Sequence, residues 1–239
     1  PLEMARGFAT IANGGFVIEP YFIRSIRDNA GQLLHQTLPR LSCPECEEAL
    51  APPLDDDPSA NEAEAPAPNV PENAVARAID SQTIWMVTDI LRDVTVRGTA
   101  ARVRELGRND LAGKTGTTND ETDAWFNGFQ KNVVATAWVG FDQPGPLGKG
   151  ETGGRAALPM WMDFMRVALK DVPEENLPRP AGLISVRINP RSGHLAGAEE
   201  GNATFEVVPQ GRVPEPEPEE PSVSAPAGES EKSAIEELF

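Results

Sequence analysis

Three stretches that read as strands, 111–118, 124–129 and 133–141, follow one another with links of only a few residues, 119–123 and 130–132. A parallel crossover takes about a dozen residues or more, so links this short predict an antiparallel three-strand meander. The middle stretch alternates Trp125, Asn127 and Phe129 against Phe126, and the third is rich in Val and Ala around Trp138. A glycine-rich loop at 145–154 leads to a helix predicted over 156–170. Its Met160, Trp161, Phe164, Met165 and Leu169 make a stripe broad enough to cover one sheet face. The fold class that follows is α+β, an antiparallel sheet with helices on its faces.

Upstream, 2–12 reads as a helix with Leu2, Ala5, Ala9 and Ala12 on one face and Met4, Phe8 and Ile11 beside it. Asn13-Gly14-Gly15 supplies its C-terminal stop, because glycine tolerates left-handed backbone. Residues 16–27 are predicted extended, with a strand over Tyr21, Phe22, Ile23 and Ile26, and 32–36 return as a hairpin partner after the turn at 28–31. A second helix is predicted over 74–93, where Ile84, Trp85, Val87, Thr88 and Leu91 hold helical spacing and Trp85 reads as a core residue. A last strand is predicted at 183–188, followed by the turn Asn189-Pro190-Arg191-Ser192-Gly193.

Two segments break this pattern. Residues 41–73 mix Asp55, Asp56, Asp57, Glu62, Glu64 and Glu72 with many prolines and alanines, and 196–239 become a Pro-Glu tail, fully so from about Pro209. Neither buries enough apolar area to offset chain entropy, so both are predicted to be disordered, with at most a short terminal helix over 233–239. The organisation expected is one ordered domain portion, 1–40 with 74–195, carrying an acidic proline-rich insert at 41–73 and an acidic tail from 196.

The net charge of −16 argues against nucleic-acid binding, which needs clustered Lys and Arg, and against an anionic lipid surface. No apolar run approaches the roughly 20 residues of a spanning helix. The chain opens Pro1-Leu2-Glu3-Met4 without an initiator Met, which points to a piece of a longer protein. The two cysteines, Cys43 and Cys46, leave a local disulfide, free thiols, a metal site and a redox pair open. Zinc would want four ligands, and His35 and His194 are not spaced as partners. No cofactor or metal is expected.

One segment carries chemistry: Leu111-Ala112-Gly113-Lys114-Thr115-Gly116-Thr117-Thr118. A phosphate-binding loop would need four residues between its glycine and Gly-Lys-Thr, and a helix afterwards. Gly107 lies one residue too far, and an aromatic strand follows instead. The other chemistry is Lys-Thr-Gly on a strand lining a serine acyl-transfer site. An edge strand points alternate side chains into a cleft, so Lys114, Gly116 and Thr118 face one way and Thr115 and Thr117 the other. The lysine supports a proton relay, the threonine hydroxyls donate to a carboxylate, and the strand's free backbone groups can pair with an extended peptide. A plain hairpin strand with a surface lysine is the bland reading of the same residues.

The surrounding residues decide between these. The runs from Leu111 to Asp120, Asp123-Ala124-Trp125-Phe126-Asn127-Gly128-Phe129 and Val139-Gly140-Phe141-Asp142 resemble the third to fifth strands of penicillin-binding proteins. Pro1-Leu2-Glu3-Met4-Ala5-Arg6 through Ala12-Asn13-Gly14-Gly15 resembles the helix upstream of that sheet, and Val96-Arg97-Gly98-Thr99-Ala100 the approach to the motif. The pattern is most similar to class A enzymes, which join a glycosyltransferase to a transpeptidase. Residues 1–35 and 74–195 take part.

The resemblance implies part of a penicillin-binding transpeptidase or serine β-lactamase-like domain. The reaction implied is a D,D-transpeptidase crosslinking peptidoglycan stem peptides ending in D-Ala-D-Ala through a serine acyl-enzyme, on the periplasmic side of the bacterial inner membrane. Lys114 would join the proton network and help hold substrate. Thr115 and Thr117 would bind the terminal carboxylate of the stem peptide or of a β-lactam, the Thr117 N–H would complete the oxyanion hole, and Gly116 would give clearance. None of the ten serines has lysine three positions later, so the nucleophile is expected in an N-terminal part of the same protein ahead of Pro1. Ser59-Ala60-Asn61 fits a second family motif only formally, inside the acidic insert. A non-catalytic penicillin-sensing or scaffold domain, and a β-lactamase, are the competing readings.

Overall fold

The computed structural model describes residues 1–46 and 70–218. The predicted meander is present as β5 (Ala112–Thr117), β6 (Asp123–Gln130) and β7 (Val133–Gly140), antiparallel in the order β5-β6-β7. Ahead of it come α1 (Leu2–Ala12), β1 (Ser25–Arg27), β2 (Leu33–Gln36), β3 (Leu41–Ser42), β4 (Ala74–Val75) and α2 (Ser81–Val96). After it come α3 (Leu158–Ala168), β8 (Leu183–Ile188) and β9 (Thr204–Pro209).

The sheet is covered on both faces, as alternation along β6 requires. Phe126 turns to α3, where its ring meets Trp161 edge-on at 4.8 Å, and Leu158, Met162 and Met165 complete that buried layer with Val103 and Leu111. Such an aromatic pair adds about 0.5–1.5 kcal/mol beyond area burial. The Trp161 indole N–H donates to Ala135 O at 3.1 Å, so the buried ring leaves no polar atom unpaired. Phe129 and Ala112 turn the other way, onto Ala12 and Phe8 of α1.

The stop after α1 is built as the glycines predict, with φ +74° at Gly14 and +97° at Gly15. A side chain at Gly15 would sit 2.2 Å from Ile79 O, so the position demands glycine twice over.

Three expectations need correction. The strand expected across 16–27 shrinks to Ser25–Arg27, whose partner is Leu33–Gln36. Phe16 leaves the hairpin to bridge Arg77. The helix expected from 74 begins at Ser81, because Ala74–Val75 pairs with Leu41–Ser42 and the Ala78 and Ile79 amides are spent on Gly15 O. Asp80 is the true N-cap, its carboxylate accepting from the Thr83 amide at 2.9 Å, and hydrogen bonding from the Thr83 side chain and then its amide holds it below the usual carboxylate range. The tail expected to be unstructured from 196 instead contributes β9, which pairs with β8. Phe205, Val207 and Val208 give that segment strand propensity.

Two compact units result, Pro1–Leu183 and Ile184–Phe239. In the second, the turn after β8 forms at the predicted place, with Gly193 at φ +78° and Asn189 Oδ1 accepting the Arg191 amide at 2.8 Å. In the first, the borders of the 41–73 insert are structured: β3 pairs in parallel with β4, and Cys43 and Cys46 form a disulfide. Of the readings left open for the cysteines, the bonded form fits a local disulfide or the oxidised state of a redox pair. The remainder of the insert, with Ser59 and Asn61, and the tail from 219 lie outside the described residues.

Candidate active-site strand

β5 is an edge strand. Its inner side pairs with β6, in a register that sets Lys114 opposite Asn127, Gly116 opposite Trp125 and Thr117 opposite Ala124. A three-residue 3-10 turn, Asn119–Glu121, and then β6 follow it, so no α-helix follows Lys114 and the phosphate-loop alternative has no structural basis. The Thr118 amide donates inward to Asp123 O at 3.1 Å. Backbone directions alternate along an antiparallel pair, so the N–H and C=O groups of Thr115 and Thr117 point to the open edge.

The side chains divide as the strand period predicts. On the α3 side, Thr115 Oγ1 lies 2.8 Å from Thr99 Oγ1, and Thr117 Oγ1 accepts from the Gly153 amide at 3.0 Å. Gly153 opens a single π-helical turn, Gly153–Ala157, that runs into α3. A side chain at Gly153 would sit 2.2 Å from Trp125 O and 2.4 Å from Gly116 O, so only glycine brings that amide over the strand pair. On the other side, Lys114 folds back along the strand. Its Nζ donates to the outward Thr115 O at 3.0 Å and lies 3.5 Å from Thr115 Oγ1. Lys114 and Thr117 are exposed, and Thr115 and Gly116 half-buried.

Gly116 was expected to give substrate clearance. The visible demand on it is internal: an added Cβ would come within 3.1 Å of Trp125 Cβ. Trp125 in turn packs at a tilt against Trp138, ring centroids 5.8 Å apart, and the Trp138 indole N–H donates to Asp123 Oδ1 at 2.8 Å.

The strand's starting position is fixed by a buried ion pair that the motif reading passed over. Arg108 clasps Asp110 with two bonds, Nε to Oδ1 at 2.9 Å and Nη2 to Oδ2 at 2.7 Å. The same guanidinium donates to Val172 O at 2.7 Å, and Asp110 Oδ2 also accepts the Glu175 amide at 3.0 Å. Burial pushes the Asp110 carboxyl up, but the Arg108 fork and the Glu175 amide outweigh it and hold the group below the usual carboxylate range. The segment after α3 is thereby tied to the residues that lead into β5. Lys131 and Glu175 add a second, exposed ion pair.

The structure thus brings Lys114, Thr115, Gly116 and Thr117 together on one open edge, and adds Thr99 and Gly153, to which the motif reading gave no role. Gly98-Thr99-Ala100 and the 145–154 glycines were the available signals. A cavity of about 530 Å³ lined in part by Phe16, Ile84, Trp85 and Leu177 lies elsewhere, and none of the four motif residues lines it. Trp85 is therefore half-buried at a cavity wall rather than sealed in the core. No helix among the described residues is long and apolar enough to cross a membrane.

Residues 1–165 match the penicillin-binding protein transpeptidase domain family. Penicillin-binding protein 1A of Pseudomonas aeruginosa is 40% identical over 226 residues, 87% of this chain and 27% of the relative. Its counterpart in Escherichia coli is 30% identical over 264 residues, 90% of this chain and 30% of the relative. A crystal structure of penicillin-binding protein 1A from Haemophilus influenzae superposes with a TM-score of 0.73 at 33% identity, covering 90% of this chain and 32% of that one. The chain therefore spans between a quarter and a third of the length of these relatives.

Proposed function

This chain belongs to the penicillin-binding protein transpeptidase family, and we propose that it supplies the substrate-holding strand of a serine-type D,D-transpeptidase acting on peptidoglycan. The observation that carries the reading is the open edge of β5, where Lys114, the two threonine hydroxyls and outward backbone groups converge. A stem peptide ending in D-Ala-D-Ala, or a β-lactam, would lie along that edge. Its carboxylate would meet the Thr115 and Thr117 hydroxyls and the Lys114 ammonium. Accepting from Gly153 leaves the Thr117 hydroxyl proton free to donate.

The nucleophile in this reading is a serine of the longer protein, upstream of Pro1. Its Oγ attacks the carbonyl carbon of the D-Ala-D-Ala bond, and the Thr117 N–H is one of the two donors that receive the oxyanion. The C–N bond breaks, the serine proton passes through the lysine network to the leaving amine, and D-alanine departs. An amine from a second stem peptide then takes the acyl group and frees the serine. A glycosyltransferase in the same protein, and a membrane anchor holding this domain on the periplasmic side of the inner membrane, complete the proposal. The Cys43–Cys46 disulfide supports an oxidising compartment.

The test is peptide crosslinking by the longer protein, with labelled stem peptides as donor and acceptor. The expected result is crosslinked dimer whose formation a penicillin abolishes. Stoichiometric penicillin labelling with no crosslinked product would favour the sensing or scaffold reading instead. Rapid release of hydrolysed penicillin would favour a β-lactamase.

A further inference from the structure

Thr99 sits where the chain leaves α2, in a turn too tight for most residues. The Arg97 and Gly98 amides both donate to Asp93 O, at 2.8 and 3.1 Å, and the Ala100 amide to Val94 O at 3.1 Å. A side chain at Gly98 would come within 2.7 Å of Val94 Cα, so glycine permits the turn, and the fully buried Ala100 anchors its far side. Between these two fixed points the Thr99 hydroxyl is delivered to Thr115 Oγ1 at 2.8 Å. Gly154 closes over the pair: a Cβ there would lie 3.2 Å from Thr99 O and 3.7 Å from Thr115 Cγ2.

Resting on the transpeptidase reading above, we propose that Thr99 is a positioning residue for carboxylate recognition, donating its hydroxyl proton to Thr115 Oγ1 so that the Thr115 proton is directed to the substrate carboxylate. A threonine hydroxyl has one proton and two lone pairs. Left alone it rotates among water, backbone and substrate. Once it accepts from a fixed donor, its proton is what remains to offer. Thr117 has that arrangement through the Gly153 amide; in the Thr99–Thr115 pair either hydroxyl can donate, and the proposal assigns the donor role to Thr99. The two hydroxyls that would meet a carboxylate are then both held as donors from the α3 side. Lys114 Nζ, 3.5 Å from Thr115 Oγ1, disfavours any proton of that hydroxyl pointing at the ammonium.

The substrate consequence is specific. Thr99 matters for ligands that carry a carboxylate and is indifferent for ligands that lack one. A residue that only stabilises the turn would affect both alike.

The experiment measures acylation rate constants of the longer protein with a penicillin and with the methyl ester of the same penicillin, for the unsubstituted protein, Thr99→Val and Thr99→Ser. Thr99→Val keeps the shape and removes the donor. It is expected to slow acylation by the free acid about tenfold, the scale of one hydrogen bond, and acylation by the ester less than twofold. Thr99→Ser restores the hydroxyl and is expected to recover most of the free-acid rate. Equal slowing of both substrates, or no slowing of either, overturns the inference while leaving the transpeptidase reading intact. Failure of the unsubstituted protein to acylate with the free acid overturns that reading, and the inference with it.

Discussion

Lys114→Ala in the longer protein is expected to slow acylation by a penicillin about 10²-fold or more, the scale of losing one preorganised electrostatic group. Lys114 is the only charged residue in the Ala112–Thr117 strand. Its ammonium is held against the outward Thr115 carbonyl at 3.0 Å, beside the hydroxyls that would take the carboxylate. Alanine removes the charge from the proton network and from substrate attraction together, while the β5–β6 register, set by backbone pairing, stays. Thr117→Val is expected to cost less, because the outward Thr117 N–H survives and only the hydroxyl is lost. Rates of fluorescent-penicillin labelling check both. A Lys114→Ala rate within threefold of the unsubstituted protein, or a Thr117→Val loss larger than that of Lys114→Ala, would remove the role assigned to the strand.

Asp110→Ala is expected to loosen the same strand from its foundation. It leaves the Arg108 guanidinium, only 14% exposed, without its carboxylate, and it frees the Glu175 amide. Removing one partner of a buried pair costs about 3–5 kcal/mol. Amide exchange in β5 and across 172–175 is the readout, and protection there should fall at least about 10²-fold.

The sign with pH follows from the depressed carboxyl. The unfolded chain binds the Asp110 proton at a pH where the folded chain does not. The contribution is therefore complete above about pH 4, the ordinary aspartate value, and is lost as pH falls through the lower folded value. Protection in the unsubstituted protein should drop over that acidic window, and the Asp110→Ala variant should lack this component. Unchanged exchange in the variant would show that the ion pair does not anchor β5.

The meander was legible because links of a few residues leave antiparallel pairing as the one geometry available to 112–140. The α3 stripe was legible in part: Trp161, Met165 and Leu169 are buried as expected, but Met160 and Phe164 face solvent, and Leu158 and Met162 take their places against the sheet. What escaped depended on partners distant in sequence. Ala74–Val75 carries helical spacing into α2, but Leu41–Ser42 and Gly15 O claim those backbones, a tertiary contest that no local pattern records. The Asp80 cap was a readable signal that the apolar spacing overshadowed. β9 was hidden among prolines and glutamates, although Phe205, Val207 and Val208 stand within it.

In the site, the motif residues were legible as types in a fixed spacing, and their two faces followed from the strand period. Thr99 and Gly153 were not, since each earns its place through a contact 16 or 36 residues away. Gly116 shows the opposite limit. Its presence was foreseen, but the visible reason is the Trp125 side chain across the strand pair.

Mass spectrometry after digestion locates the penicillin adduct in the longer protein. One acyl group is expected on a serine that precedes Pro1 and has lysine three positions after it. No adduct is expected on the 239-residue chain alone, where none of the ten serines has that neighbour. A stoichiometric adduct on a serine within these 239 residues, Ser59 being the first to inspect, would contradict an upstream nucleophile.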